Sequence, residues 1–295
     1  MIRATLPLAA ALALAGCGLL HHRPPPAQHV RYTVGKPYNA GGQWHYPRVF
    51  GHYDRTGLST LIAPGPARLT ADGEAYRADS LTAQSPVLPL PSIVRITNLD
   101  TGRSLAVRVN DRGPMQAGRI VAVTPRVARL LGMPADGVAE VRVQLLAGRS
   151  AALQGSLGAG PHLTAAPVGA VAAAALPPPP GAGGSAGAVS GTIRPATAHP
   201  AGVPGAVERL SGVVRTAPPS PGPLYVEIPG FGSTTDAMNL RARLAGMPGA
   251  ILPQSAGGRT LYALRLGPYA SVPAADAALR SLLDRGVAGA EIVVR

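Results

Sequence analysis

VRVNDRGPMQAGR, residues 107–119, decides how the rest of the chain is read. Leu105, Val107 and Val109 alternate with Ala106, Arg108 and Asn110, the period-two pattern of a strand with one buried face. The alternation runs straight into Asn110-Asp111-Arg112-Gly113-Pro114, so the strand ends on a carboxylate beside arginines. Two uses fit such an aspartate. It can terminate the strand and pair with Arg108, Arg112 or Arg119 to fix the turn. Alternatively it works with a second carboxyl group, and Glu74 in TADGEAY (70–76) is the candidate. Glycoside cleavage needs one carboxyl to protonate the leaving oxygen and a second group to accept a proton or steady charge.

Working outward, Val94 and Ile96 alternate with Arg95 and Thr97, which predicts a strand paired with the first through a turn at Asn98-Leu99-Asp100-Thr101-Gly102. Ile120 to Val123 predicts another strand. Thr124 then follows as a helix N-cap, with Pro125 at the first helical position and Gly132 just past the end. Residues 30–146 thus form a mainly β unit with one small helix. His45 and His52 lack a third ligand at a useful spacing, so no metal site is expected.

The 295 residues carry 37 glycines and 32 prolines, an excess that points to a long unstructured segment. That segment is 147–222, containing LPPPPGAGGSAGAVSG and TAPPSPGP. As a random coil it spans on the order of 50 Å. Beyond it, 223–295 reads as a second unit. Tyr225–Ile228 is a strand, Thr234 or Thr235 caps a helix, and strands follow at 250–252 and 260–266. A helix through Ala275 to Leu282 ends at Gly286, and Ile292–Val294 is a last strand. The order β-α-β-β-α-β is the α+β ferredoxin-like arrangement.

The N-terminus sets location. Arg3 precedes an apolar run from Leu6 to Leu14, and Leu14-Ala15-Gly16 leads to Cys17, the sole cysteine. The run is a secretory signal, too short to span a membrane. It resembles the bacterial lipobox, which implies cleavage after residue 16, acylation of Cys17, and a lipid-anchored tether over 17–29. Gly18 after the cysteine, where an aspartate would favour retention, suggests the outer membrane facing the periplasm. The net charge of +13 admits nucleic acid, an anionic membrane surface or an anionic polymer, and export makes nucleic acid a poor partner.

Residues 88–114 (LPLPSIVRITNLDTGRSLAVRVNDRGP) and 118–133 (GRIVAVTPRVARLLGM), with TADGEAY, SLTAQ (80–84) and 32–58, resemble the rare lipoprotein A family. YVEIPGF (225–231) and LRLGPYAS (264–271) are similar to SPOR domains. The resemblance implies a double-psi β-barrel, a disordered linker and a SPOR domain that binds glycan strands stripped of stem peptides at division septa. It implies a lytic transglycosylase of peptidoglycan, needing no metal or cofactor. The muramyl C6 hydroxyl attacks the anomeric carbon and leaves a 1,6-anhydro end. Asp111 is implied as proton donor and later acceptor, with Glu74 assisting; septal division proteins are implied partners.

The sequence departs from the family at four places. Ser85 stands where the family has His, Leu61-Ile62-Ala63 replaces Trp-Tyr-Gly, and Pro64–Ala67 replaces a Phe-His-Gly stretch. Ala122 replaces an Asp. Two readings therefore stand: a working transglycosylase, or a glycan-binding septal lipoprotein that no longer cuts. Adhesion to anionic lipid through the arginines is a third. Under the first two, arginine can hold the lactyl carboxylate of a muramyl residue by paired hydrogen bonds. Arg108, Arg112 and Arg119, with Asn110, are the substrate-binding candidates of the barrel; Arg241, Arg243 and Arg265 are those of the second unit.

Overall fold

The computed structural model describes residues 28–65, 67–159, 210–256 and 258–295. The signal segment, Cys17, the tether to residue 27 and linker residues 160–209 lie outside them. A hairpin, β1 (Tyr38–Ala40) and β2 (Gln43–His45), opens the first unit. Its two-residue turn is Gly41-Gly42, both at positive φ, as a type I′ hairpin requires.

The barrel strands are β3 (Asp54–Leu61), β4 (Thr82–Gln84), β5 (Ser92–Asn98), β6 (Arg103–Asp111), β7 (Arg119–Val123) and β8 (Glu140–Leu145). They run β4-β7-β3-β8-β5-β6, and a β4–β6 pairing closes the ring. Two pairings, β3–β7 and β4–β6, are parallel and the rest antiparallel. This is a closed six-stranded double-psi barrel. Val94, Ile96, Leu105, Val107, Val109, Val121, Val123, Val141 and Val143 fill it, and Val127 and Leu131 of α1 (Pro125–Leu131) pack against them. Each such side chain contributes roughly 1.5–3 kcal/mol on burial.

Local signals behave as read. β5 pairs with β6 around Asn98–Gly102, where the Asn98 side chain accepts from the Asp100 N–H at 3.0 Å. Thr124 caps α1, and Gly132 ends it in the left-handed region at φ 67°.

The segment read as linker is ordered at both ends. Residues Ala147–Ser156 form α2, fastened where β8 stops covering β5. Ser150 Oγ accepts from the Ile93 N–H at 2.9 Å, and Gln154 donates to the Pro91 carbonyl at 2.9 Å. At the far end, β9 (Arg215–Thr216) pairs with β6, and the Ala217 and Ser220 N–H groups donate to the Gly102 and Leu99 carbonyls. These partners are distant in sequence, and the Ala/Gly/Pro composition conceals them.

The second unit comprises β10 (Leu224–Phe231), α3 (Thr234–Arg243), β11 (Gly249–Ala256), β12 (Arg259–Tyr269), α4 (Val272–Asp284) and β13 (Glu291–Val294). Its antiparallel sheet runs β11-β12-β10-β13, the ferredoxin-like order. The cap of α3 is Ser233, not Thr234 or Thr235. Its hydroxyl accepts from the Asp236 N–H at 3.1 Å, which places the first helical residue at Thr234.

The two units pack together. Leu58 of β3 is fully buried in the cluster of Leu279, Leu282 and Ile292. Gly57 and Gly118 make room: a Cβ at Gly118 would lie 2.8 Å from both Ile292 Cδ1 and Leu279 Cδ2. Both Nη atoms of Arg119 bind Asp276, at 2.7 and 2.8 Å, with the Arg119 side chain only 2% exposed. Removing the partner of a buried charge costs about 3–5 kcal/mol. Asp276→Ala should therefore lower stability by about 3 kcal/mol in urea denaturation, and Asp276→Asn should cost less; an unshifted midpoint for both would dismiss this contact.

Candidate functional site

The site is built where the loop of residues 67–77 crosses the end of β6. Thr70 and Asp72 shape the loop. The Thr70 hydroxyl donates to Asp72 Oδ1 at 2.7 Å, and the Glu74 N–H donates to Thr70 Oγ1 and Asp72 Oδ1. Gly73 turns the chain at φ 94°, with the His29 carbonyl where a Cβ would sit. The Asp72 N–H reaches back to the Asn110 carbonyl at 3.2 Å. This geometry turns Glu74 onto β6. Its Oε2 accepts from Asn110 Nδ2 at 2.6 Å, and its Oε1 contacts Arg108 Nη2.

Asp72 completes the cluster and was missed by sequence reasoning. It is fully buried, with Oδ2 4.0 Å from that same Arg108 Nη2. Burial, then the charge of Glu74, pushes its carboxyl up to about 6, against the pull of Thr70, the Glu74 N–H and Arg108. Asp72 Oδ2, Glu74 Oε1, and Arg108 Nε and Nη1 are buried without hydrogen-bond partners. The Glu74–Arg108 contact is thus an ion pair without hydrogen-bond alignment. Two carboxyl groups share one guanidinium, and one proton would leave the cluster balanced. The available signal was the Asp-Gly-Glu spacing itself, two carboxyl groups on either side of a turn glycine.

Asp111 sits beside this cluster and shares no hydrogen-bond donor with Glu74 among the described residues. Its Oδ2 accepts from Arg68 Nη1 at 2.7 Å and Gln84 Nε2 at 2.9 Å; its Oδ1 accepts from the Ala71 and Arg112 N–H groups at 3.0 and 2.9 Å. None of the arginines suggested by proximity in sequence supplies a side-chain donor to it. Arg68, which also lies over the Tyr76 ring, and Gln84 were not foreseen.

A cleft of about 400 Å³ opens on the Glu74 side, lined by Arg108, Asn110, Thr82, Arg77 and Arg126. Glu74, Arg108 and Asn110 are therefore brought together. Arg112 turns away and donates to the carbonyls of Ser85, Leu88 and Val34, and burial lowers its pKa. Arg119 is engaged by Asp276. In the second unit Arg265 binds Glu227, which is fully buried, whereas Arg241 and Arg243 are exposed. Ser85 is buried, and its Oγ accepts from the Val87 and Leu88 N–H groups, a turn-forming role. Ile62, in the stretch lacking the family aromatics, is packed into the interior. No group of metal-ligating side chains occurs among the described residues.

Residues 55–143 match the family model described as lytic transglycolase, and residues 220–293 match the SPOR domain. The chain is 32% identical over 259 residues to the endolytic peptidoglycan transglycosylase RlpA of Pseudomonas aeruginosa UCBPP-PA14, an alignment covering 83% of this chain and 72% of that one. Proteins of the same name from Campylobacter jejuni and Neisseria meningitidis are 36% and 34% identical, over 38% and 42% of this chain. Those alignments cover 41% and 54% of the relatives' own lengths. With its double-psi barrel, its SPOR domain and a relative matched along most of both chains, the protein belongs to the RlpA family.

Proposed function

We propose that this protein is an endolytic peptidoglycan transglycosylase that cleaves MurNAc–GlcNAc bonds in strands lacking stem peptides. What carries the reading is the Asp72–Glu74–Arg108 cluster: a carboxyl with elevated proton affinity, buried beside a second carboxyl that lines an open cleft. Asp72 is sealed from the cleft and acts as a positioning residue, keeping a proton within the pair. Glu74 passes that proton to the leaving GlcNAc oxygen. As the C1–O bond breaks, the muramyl C6 oxygen bonds to C1 and its proton returns to the carboxylate. No water enters, and the product end is 1,6-anhydromuramyl. Arg108 and Asn110 hold the Glu74 carboxylate while it is charged. Asp111, accepting from four donors, fixes Arg68, Gln84 and the loop against β6, which makes its role one of organisation.

One observation favours the second reading, a glycan-binding protein that does not cut. At Ser85 the site offers a hydroxyl committed to backbone N–H groups instead of a titratable ring. In either case the protein is exported, acylated at Cys17, held at the outer membrane and directed to denuded glycan at the division septum by its SPOR domain, in the company of septal division proteins.

Digestion of purified sacculi followed by mass spectrometry separates the two. Glu74→Gln should lower the yield of anhydromuramyl ends by at least about 100-fold, and wild-type binding without such ends would leave only the second reading. Asp111→Asn should also abolish product, but with a loss of about 2 kcal/mol in stability, because it disrupts hydrogen bonds to a charged group.

Asp72 predicts a pH dependence. Its raised carboxyl loses the proton as pH rises through about 6, so cleavage should fall across that range. Asp72→Asn, which keeps the contact to Thr70 but cannot hold that proton, should lower cleavage and leave what remains without that limb. The same group makes its full contribution to stability below about pH 4 and loses it as pH rises through about 6. Asp72→Asn should therefore flatten the stability profile across that interval, and an unchanged profile would separate Asp72 from both effects.

A further inference from the structure

A second concavity, of about 350 Å³, lies at the junction of the β1–β2 hairpin, the barrel and β13. Its volume is in the range of small-ligand sites. Two aromatic rings stand open at its edge, Trp44 at 59% and Tyr46 at 62% exposure. Trp44 is the only tryptophan of the chain. Large rings left so open on a surface gain nothing from the fold, whereas the apolar faces of sugar rings pack well on them.

The charge of the lining is one-sided. Arg48, Arg55, Arg119 and Arg295 line it with one acidic residue, Glu291. Arg55 pairs with Glu291, Arg119 with Asp276 and Arg295 with Glu227, which leaves Arg48 as the lining arginine without a carboxylate partner among the described residues. Arg48 is held over the Phe50 ring, 4.8 Å from its centre. Arg119 is buried, and its Nε has no hydrogen-bond partner although both Nη atoms bind Asp276. Arg55 and Arg295 keep 49% and 39% of their side chains exposed. A guanidinium fixed over a ring, as Arg48 is over Phe50, beside open aromatic rings recognises a saccharide that carries a carboxylate.

The concavity is also connected to the site. Gln84 donates to Asp111, and Pro86 and Val87, two and three residues further on, line the groove. The Arg48 N–H donates to the Val87 carbonyl at 3.1 Å, and the Tyr38 hydroxyl to the Pro86 carbonyl at 3.4 Å. The barrel and the second domain both contribute walls, so neither makes this groove alone.

We propose that the junction groove is a saccharide subsite that binds carboxylate-bearing amino sugars of the glycan strand away from the bond being cut. Trp44 and Tyr46 stack on the sugar rings, and Arg48, with the exposed Arg55 and Arg295 beside it, holds the lactyl carboxylate. The proposal rests on the glycan substrate proposed above, but not on the chemistry at Glu74. It supplies an aromatic platform in a chain whose residues 61–63 provide none.

Trp44 is its own reporter. Full-length protein in detergent micelles is titrated with glycan strands freed of stem peptides by an amidase, and with chitohexaose, which lacks the carboxylate. Trp44 emission should shift and saturate with the denuded strands, and chitohexaose should need about 10-fold higher concentration. Trp44→Ala with Tyr46→Ala should raise KM for sacculus cleavage by about 10-fold with kcat unchanged. Strands that bind and are cut without altering Trp44 emission would overturn the groove and leave the transglycosylase reading intact. A saturating Trp44 response without anhydromuramyl product would support the groove and overturn the proposed cleavage. Failure of the strands to bind at all would overturn both.

Discussion

The carboxylate of Asp111 holds the active end of the barrel together. Four donors meet on its two oxygens, from the loop of residues 67–77, from β4 and from the turn after β6. Hydrogen bonds to a charged acceptor are worth more than neutral ones, about 1.5–3 kcal/mol each. The location matters as much as the number. β4 and β6 form the parallel pairing that closes the barrel, and their register shifts where Gln84 meets Asp111. The Asp111 carboxylate at that irregularity gathers side-chain donors from β4 and the loop with backbone donors from the loop and the turn. Once the loop is fixed there, Thr70, Asp72 and Glu74 fall against Arg108 and Asn110.

The neighbouring cluster obeys a different economy. One buried and one half-buried carboxyl group share one guanidinium and leave four polar atoms without hydrogen bonds. A buried ion pair often contributes little net stability, and orphaned polar atoms cost more. A cluster selected only for stability would satisfy those atoms or exclude them. Here the strain on Asp72 is relieved by a proton, and Glu74 lies between that proton and open space. Costly burial beside an accessible carboxyl is the arrangement expected where proton transfer matters.

Much of the architecture was legible because it is local. Period-two alternation fixes β5 and β6, the Asn98–Gly102 turn joins them, and Thr124, Pro125 and Gly132 delimit α1. Glu74, Arg108 and Asn110 were legible as chemistry, since TADGEAY and the end of β6 carry the polar residues of an apolar domain. What escaped was settled by distant partners. Arg119 finds Asp276 157 residues away, and Arg112 reaches the Val34 carbonyl across 78. A sequence shows that an arginine is present but not which oxygen will face it. Asp72 passed unnoticed for a related reason: its burial depends on β6 crossing its loop, which no pattern within TADGEAY announces. The ends of the linker were obscured because alanine and glycine fit helices, straps and coils alike.

The packing of the second domain changes what a linker can do here. Residues 215–220 are hydrogen-bonded along the β5–β6 hairpin, and β13 lies against β3. The Thr56 hydroxyl donates to the Val294 carbonyl, and the Gln43 side chain to that of Ala290. Gly57 and Gly118 lack the side chains that would keep the domains apart. The distance between the second sheet and the carboxyl groups of the barrel is therefore set by side-chain packing, not by the length of chain between the domains. A glycan strand held by one domain meets the other in a fixed register. Under the cleavage proposed at Glu74, affinity gained at the second domain would position the bond, which a freely tethered domain could do only by raising local concentration.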